Sequence, residues 1–167
     1  MEFDCEVEEP WPTGDDWEAT ARIAATALLN VAPEFDNSRL TVSLLFTSDD
    51  EVKALNGAWR GKDAPTNVLS FPMLTRTELL SLESSGSPVM FGDVALAYET
   101  CAREAREKGC TLWEHAVHLL IHGLLHLGGY DHDDGEAEAE AMEALEVKAL
   151  ALIGVADPYE GRDQGQG

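Results

Sequence analysis

"HLLIHGLLHLGGYDH", residues 118–132, carries the histidine spacing on which the reading of this chain turns. His122, His126 and His132 fall at offsets of zero, four and ten. In a helix the first two lie one turn apart on one face, so their imidazoles can converge on one ion. Gly128 and Gly129 then break the helix, and the chain can fold back to bring His132 to the same ion. Three neutral imidazoles leave a fourth coordination position open, as in hydrolytic rather than closed structural zinc sites. An ion held there would polarise a phosphoryl or carbonyl oxygen and lower the pKa of water from about 16 toward about 7.

The same spacing occurs in the protease pattern H-E-x-x-H-x-x-G-x-x-H, whose glycine corresponds to Gly129. Where that pattern has its glutamate base, this chain has Gly123. Glycine takes no proton, which argues against peptide hydrolysis but not against metal-assisted hydrolysis of another bond. His118 lies about 12 Å along the helix axis from His126, at 1.5 Å per residue, too far to share an ion. His115 and His118 are therefore expected to pack or to hydrogen-bond. Asp131, beside His132, is a candidate to orient an imidazole, with turn capping as the alternative. The acidic run Asp133, Asp134, Glu136, Glu138 and Glu140 is expected to open a solvated helix, where the macrodipole favours it.

Working outward, residues 16–31 have helical spacing, and 39–46 ("RLTVSLLF") read as a strand. Ser48 with Glu51 makes a capping-box pattern that opens a short helix, with Gly57 expected to end it. Residues 66–73 predict a second strand whose Pro72 points to a sheet edge. The Ser-rich stretch 75–88 reads as a connecting arm. Residues 89–99 predict a third strand, with Gly92 marking a bulge or a close backbone approach. Helices are expected near 99–108, 112–127 and 135–153, the last with a stripe of Met142, Leu145, Ala149 and Leu152 and its charges elsewhere. Strands early and helices late predict an α+β fold. The expected architecture is a small mixed β-sheet packed by about five helices, with a zincin-like metal site at a helix-turn. Residues 1–159 are expected to form one domain and 160–167 a flexible tail.

At 167 residues and 44% hydrophobic content, the chain is long enough for one substantial core. Its 32 acidic against 11 basic residues give a formal charge of -21, which repels a phosphate backbone in general. Nucleic-acid work then requires a local basic patch or a protein partner. Cys5, Cys101 and Cys110 have no C-x-x-C spacing and are expected to be reduced thiols. The acidic "MEFDCEVEEP" lacks an apolar run, so no signal peptide is expected, nor is any stretch suited to spanning a membrane. The expectation is a cytoplasmic protein.

"HGLLHLGGYDH" (122–132) meets every fixed position of H-G-x-L-H-L-x-G-Y-D-H, and in this it resembles the YbeY family of bacterial endoribonucleases. "LNGAWRGKDAPTNVLSFP" (55–72) and "GDVAL" (92–96) are similar to two further blocks of that family, as are "MEALE" (142–146) and Pro158-Tyr159. Asn67 stands where many members have Asp. The resemblance implies a zinc-dependent, single-strand-specific endoribonuclease acting in 16S rRNA 3′-end maturation and ribosome quality control. It implies one Zn2+ per chain held by His122, His126 and His132, with Arg60 and His122 as catalytic residues. The implied partners are rRNA and the small ribosomal subunit, with a ribosomal protein or assembly GTPase as a further candidate.

Lys53, Arg60 and Lys62 fall within ten positions and, with Arg76, can form a basic wall in an otherwise acidic chain. Arg60 can clamp a phosphate bidentately. Trp59 is expected in the core, with base stacking as the alternative. Lys62, Thr66, Asn67 and Ser70 are candidates for orienting substrate or the arginine. Two other readings remain: a zinc metallopeptidase with a displaced base, and a non-catalytic ribosome-assembly factor with a structural metal.

Overall fold

The computed structural model describes residues 1–61, 66–131 and 135–160. Four strands form one sheet: β1 (Glu2–Val7), β2 (Leu40–Thr47), β3 (Val68–Pro72) and β4 (Val89–Ala97). Six α-helices accompany them: α1 (Trp17–Val31), α2 (Asp49–Arg60), α3 (Arg76–Ser81), α4 (Tyr98–Lys108), α5 (Leu112–Leu127) and α6 (Glu136–Leu152). The strand order is β1-β2-β4-β3; β1, β2 and β4 run parallel, and β3 pairs antiparallel with β4 at the edge. The α+β class and the mixed sheet agree with expectation.

Side chains alternate across a strand, so β4 serves two cores at once. Val94 and Leu96 join the larger cluster, which also holds Leu28 of α1, Leu120 and Leu124 of α5 and Met142 of α6. Ala95 and Ala97 join a smaller cluster with Leu69 of β3 and Val52 of α2. The histidine helix α5 thus packs on one face of the sheet and α2 on the other. At Gly92 the β2–β4 register shifts, and a side chain there would meet Phe71 O at 2.6 Å and Leu127 Cδ2 at 2.5 Å. The close backbone approach expected of Gly92 is present, and Pro72 ends the edge strand as expected.

Four expectations need correction. Strand β1 was not foreseen; its acidic residues alternate with Phe3 and Cys5, and pairing with β2 buries Phe3. Helix α2 runs through Gly57 and ends at Gly61, whose φ of 68° supplies the left-handed cap that a helix end favours. The 75–88 arm contains helix α3, which opens on a full Thr75–Glu78 capping box. In α6 the stripe includes buried Met142 and Ala149, but Leu152 is exposed and Glu146 takes a place on the buried face. The cysteines are unpaired. No described helix is long and apolar enough to cross a membrane. Of the expected tail, 160–167, all but Glu160 lies outside the described residues.

Candidate active site

Helix α5 begins at a Thr111–Glu114 capping box and runs through all four of its histidines. His115 and His118 are buried; His122 and His126 are half-buried, one turn apart. Each of the latter pair has its Nδ1 engaged by a neighbouring element. His126 Nδ1 lies 2.6 Å from Ser70 Oγ on edge strand β3, and His122 Nδ1 lies 3.4 Å from Glu146 Oε1 on α6. The Glu146 carboxylate can only accept, so it favours the proton on His122 Nδ1 and places Nε2 on the far side of that ring, whereas the Ser70 hydroxyl, which can donate or accept, holds the orientation of the His126 ring. Two imidazole nitrogens one turn apart are donors that fit a divalent metal ion such as zinc. His132 lies outside the described residues, and no cluster of three metal-binding side chains occurs among those described.

The turn that leads toward His132 is clamped. Arg76 Nη1 donates to the Gly128 carbonyl at 2.8 Å, and Nη2 donates to Glu34 Oε2 at 2.7 Å. The Tyr130 hydroxyl donates to the same Glu34 oxygen at 2.7 Å, and the guanidinium lies 4.7 Å from the Tyr130 ring centroid. Burial pushes the Glu34 carboxyl up, but hydrogen bonds from Tyr130 and Arg76 hold it below the usual carboxylate value. Gly129 has φ of 97°, and a Cβ there would sit 2.9 Å from Arg76 Cβ, so both conformation and space select glycine. Arg76 is thus committed to the turn through Glu34 and Gly128, which takes it out of the expected basic wall. Asp131 follows the turn and is half-buried.

Gly123 faces the sheet. A Cβ there would lie 3.1 Å from Val94 Cγ1 and 3.5 Å from Val68 Cγ2. The position that holds a glutamate base in the protease pattern is occupied here by apolar packing against β3 and β4.

Glu146 escaped the sequence reading. It is 0% exposed, and its Oε1 lies 2.6 Å from His118 Nε2 and 3.4 Å from His122 Nδ1, while the Tyr159 hydroxyl donates to it at 2.9 Å. Burial pushes this carboxyl up; the hydrogen bonds to His118 and His122 outweigh that and bring it down to about 2. The available signal was positional: Glu146 lies four residues after Met142 and three before Ala149, on the buried stripe.

At the other end of α5, His115 Nε2 lies 2.9 Å from Glu104 Oε1, which also accepts from Asn67 Nδ2 at 3.0 Å. Burial lowers the His115 pKa, while the hydrogen bonds from His115 and Asn67 lower that of Glu104 against its own burial. A neutral imidazole donating Nε2–H to a carboxylate accounts for both directions. Asn67 Oδ1 accepts from Val68 N at 2.7 Å, so this side chain anchors the start of β3.

Arg60 is exposed as the last residue of α2; Lys62 lies outside the described residues. Trp59 is 73% exposed, a correction to its expected core position. With Leu55, Phe71 and Met73 it lines a groove of about 500 Å³ on the sheet face opposite α5, with Asp4, Glu6 and Asp93 at its sides. Exposed on the groove wall, the tryptophan is accessible to a ligand.

A protein-family model of Endoribonuclease YbeY matches residues 12–154. The chain is 57% identical to Endoribonuclease YbeY of Erythrobacter litoralis over 162 residues, 97% of this chain and 99% of that protein. It is 55% identical to the Novosphingobium aromaticivorans protein of the same name, covering 96% of this chain and 97% of the other. A solution structure of a Thermotoga maritima protein has the same fold with a TM-score of 0.58, at 22% identity, over 98% of this chain and 93% of that one. With most of its length matched by the family model and by these relatives, the chain belongs to the YbeY family.

Proposed function

We propose that this protein is a zinc-dependent, single-strand-specific endoribonuclease acting in the cytoplasm on 16S rRNA 3′-end maturation and in ribosome quality control. The observation that carries this reading is the anchored pair His122 and His126, one turn apart and followed by a glycine turn that leads toward His132. The Endoribonuclease YbeY names of its relatives support the substrate class.

In this reading His122, His126 and His132 hold the zinc ion, which when bound supplies Lewis-acid stabilisation of the phosphoryl group. Ser70 and Glu146 hold the imidazoles in place. Arg60, exposed at the end of α2, binds the scissile phosphate and stabilises the charge that develops there. The attacking oxygen is water or the neighbouring 2′-hydroxyl, and product ends distinguish them: a 2′,3′-cyclic phosphate identifies the 2′-hydroxyl. The packing of Gly123 against Val94 leaves a peptidase without its base.

The test combines zinc analysis with cleavage of single-stranded and duplex RNA by wild type, His126→Ala and Arg60→Ala. The expected outcome is about one zinc per wild-type chain, loss of zinc and cleavage in His126→Ala, and cleavage reduced by about 10²-fold with zinc retained in Arg60→Ala. Full cleavage by both variants, or a zinc-free active wild type, overturns the mechanism. Zinc binding without any RNA cleavage favours a non-catalytic assembly factor.

A further inference from the structure

Glu146 is a buried carboxylate at a place where an apolar residue would pack between Met142 and Ala149. Keeping a charge at zero exposure costs several kcal/mol of desolvation in general unless donors compensate it. Three donors do so here: His118 and His122 of α5, and Tyr159 from the segment after α6. Tyr159 and His118 also approach each other at 3.2 Å, so one carboxylate oxygen gathers both. Its other oxygen, Oε2, is buried and has no hydrogen-bond partner among the described residues. The contacts of 2.6 and 2.9 Å fix Oε1 in place; the 3.4 Å contact reaches His122.

We infer that Glu146 is a positioning residue for His122: pinned by His118 and Tyr159, its carboxylate accepts the imidazole Nδ1–H and turns Nε2 toward the ion. This rests on the zinc reading above. An unconstrained neutral histidine side chain in water prefers the proton on Nε2, which would block ligation through that nitrogen. A fixed anionic acceptor at Nδ1 reverses the preference before any metal binds. Ser70 holds the His126 ring at the same nitrogen through a hydroxyl that can donate or accept, so the two rings are held from different elements, one by the sheet edge and one by α6.

The test uses the full chain as Glu146→Gln and Tyr159→Phe. Zinc affinity is measured by chelator competition, and the His122 tautomer is read by ¹⁵N NMR of the metal-free protein. Wild type is expected to hold His122 with the proton on Nδ1. Glu146→Gln is expected to shift it toward Nε2–H and to weaken zinc binding about 10–100-fold. Tyr159→Phe, which keeps the carboxylate but loosens it, is expected to do the same more weakly and carries the test if Glu146→Gln fails to fold. Unchanged tautomer and zinc affinity in a folded variant overturn the inference and leave Glu146 as a brace between helices. A wild type that binds no zinc overturns the zinc reading instead, and the tautomer measurement still decides the role of Glu146.

Discussion

Ser70 Oγ lies 2.6 Å from His126 Nδ1 and joins the edge strand of the sheet to the histidine helix across 56 residues of sequence. Val68, two residues earlier on the same face of β3, packs near Gly123. One short strand therefore covers the helix and orients His126. Because His126 is half-buried, water can replace the serine hydroxyl as a partner, though without fixing the ring. Ser70→Ala is expected to lower zinc affinity about tenfold and cleavage with it. Its melting temperature should stay near that of wild type. A chelator competition that shows no difference would remove Ser70 from the site.

Restoring the protease-type glutamate at position 123 is expected to damage the fold without creating a peptidase. The space beside Gly123 ends at Val94 Cγ1, 3.1 Å from an added Cβ, and the rest of a glutamate would enter apolar packing. Overpacking plus an uncompensated charge should cost about 3 kcal/mol or more. Gly123→Glu should unfold at markedly lower urea concentration than wild type and leave casein intact. An unchanged urea midpoint would mean that the helix can move off the sheet.

The Glu34–Arg76–Tyr130 clamp makes part of the stability depend on pH. The folded Glu34 carboxyl is held below its ordinary value of 4.5, against the opposing push of burial. Its contribution is therefore complete above pH 4.5 and is lost as pH falls through the lower folded value. Glu34→Gln should be about 1–2 kcal/mol less stable than wild type at pH 7, a figure reduced for the partial exposure of Arg76. The gap should narrow as the pH is taken well below 4.5. Urea titrations of both proteins across pH 3–7 measure it; a gap that is constant over that range would show that the carboxylate charge contributes nothing.

The features legible in sequence were those whose cause is local. Helix α5, its glycine turn and the His122/His126 pair follow from spacing within eleven residues. The Thr75–Glu78 capping box is equally local, but serines and a late proline around it suggested a loop. Strand β1 was hidden because its acidic residues lie on the sheet's exposed side and only the partner strand explains Phe3. Glu146 and Arg76 were misplaced for a deeper reason. A charged side chain is buried or diverted by partners distant in the chain, such as His118 for Glu146 and Glu34 for Arg76. Nothing in the neighbouring residues announces those partners.

The diversion of Arg76 leaves an acidic chain with few cations for RNA, and this sets the last prediction. With a formal charge of -21 and Arg76 held by Glu34, Arg60 and Lys53 are the cations that α2 carries. If two or three phosphates are neutralised, the logarithm of affinity for single-stranded RNA should fall with a slope of about -2 against the logarithm of salt. Between 50 and 200 mM salt that amounts to a loss of about tenfold to twentyfold in cleavage of naked RNA at limiting concentration. A ribosomal protein or assembly GTPase that presents the substrate would supply affinity that does not depend on those few contacts. Cleavage of the same rRNA end within small-subunit particles should then be faster and less sensitive to salt. Equal rates on naked RNA and on particles at about 150 mM salt, with equal slopes, would show that no partner is needed.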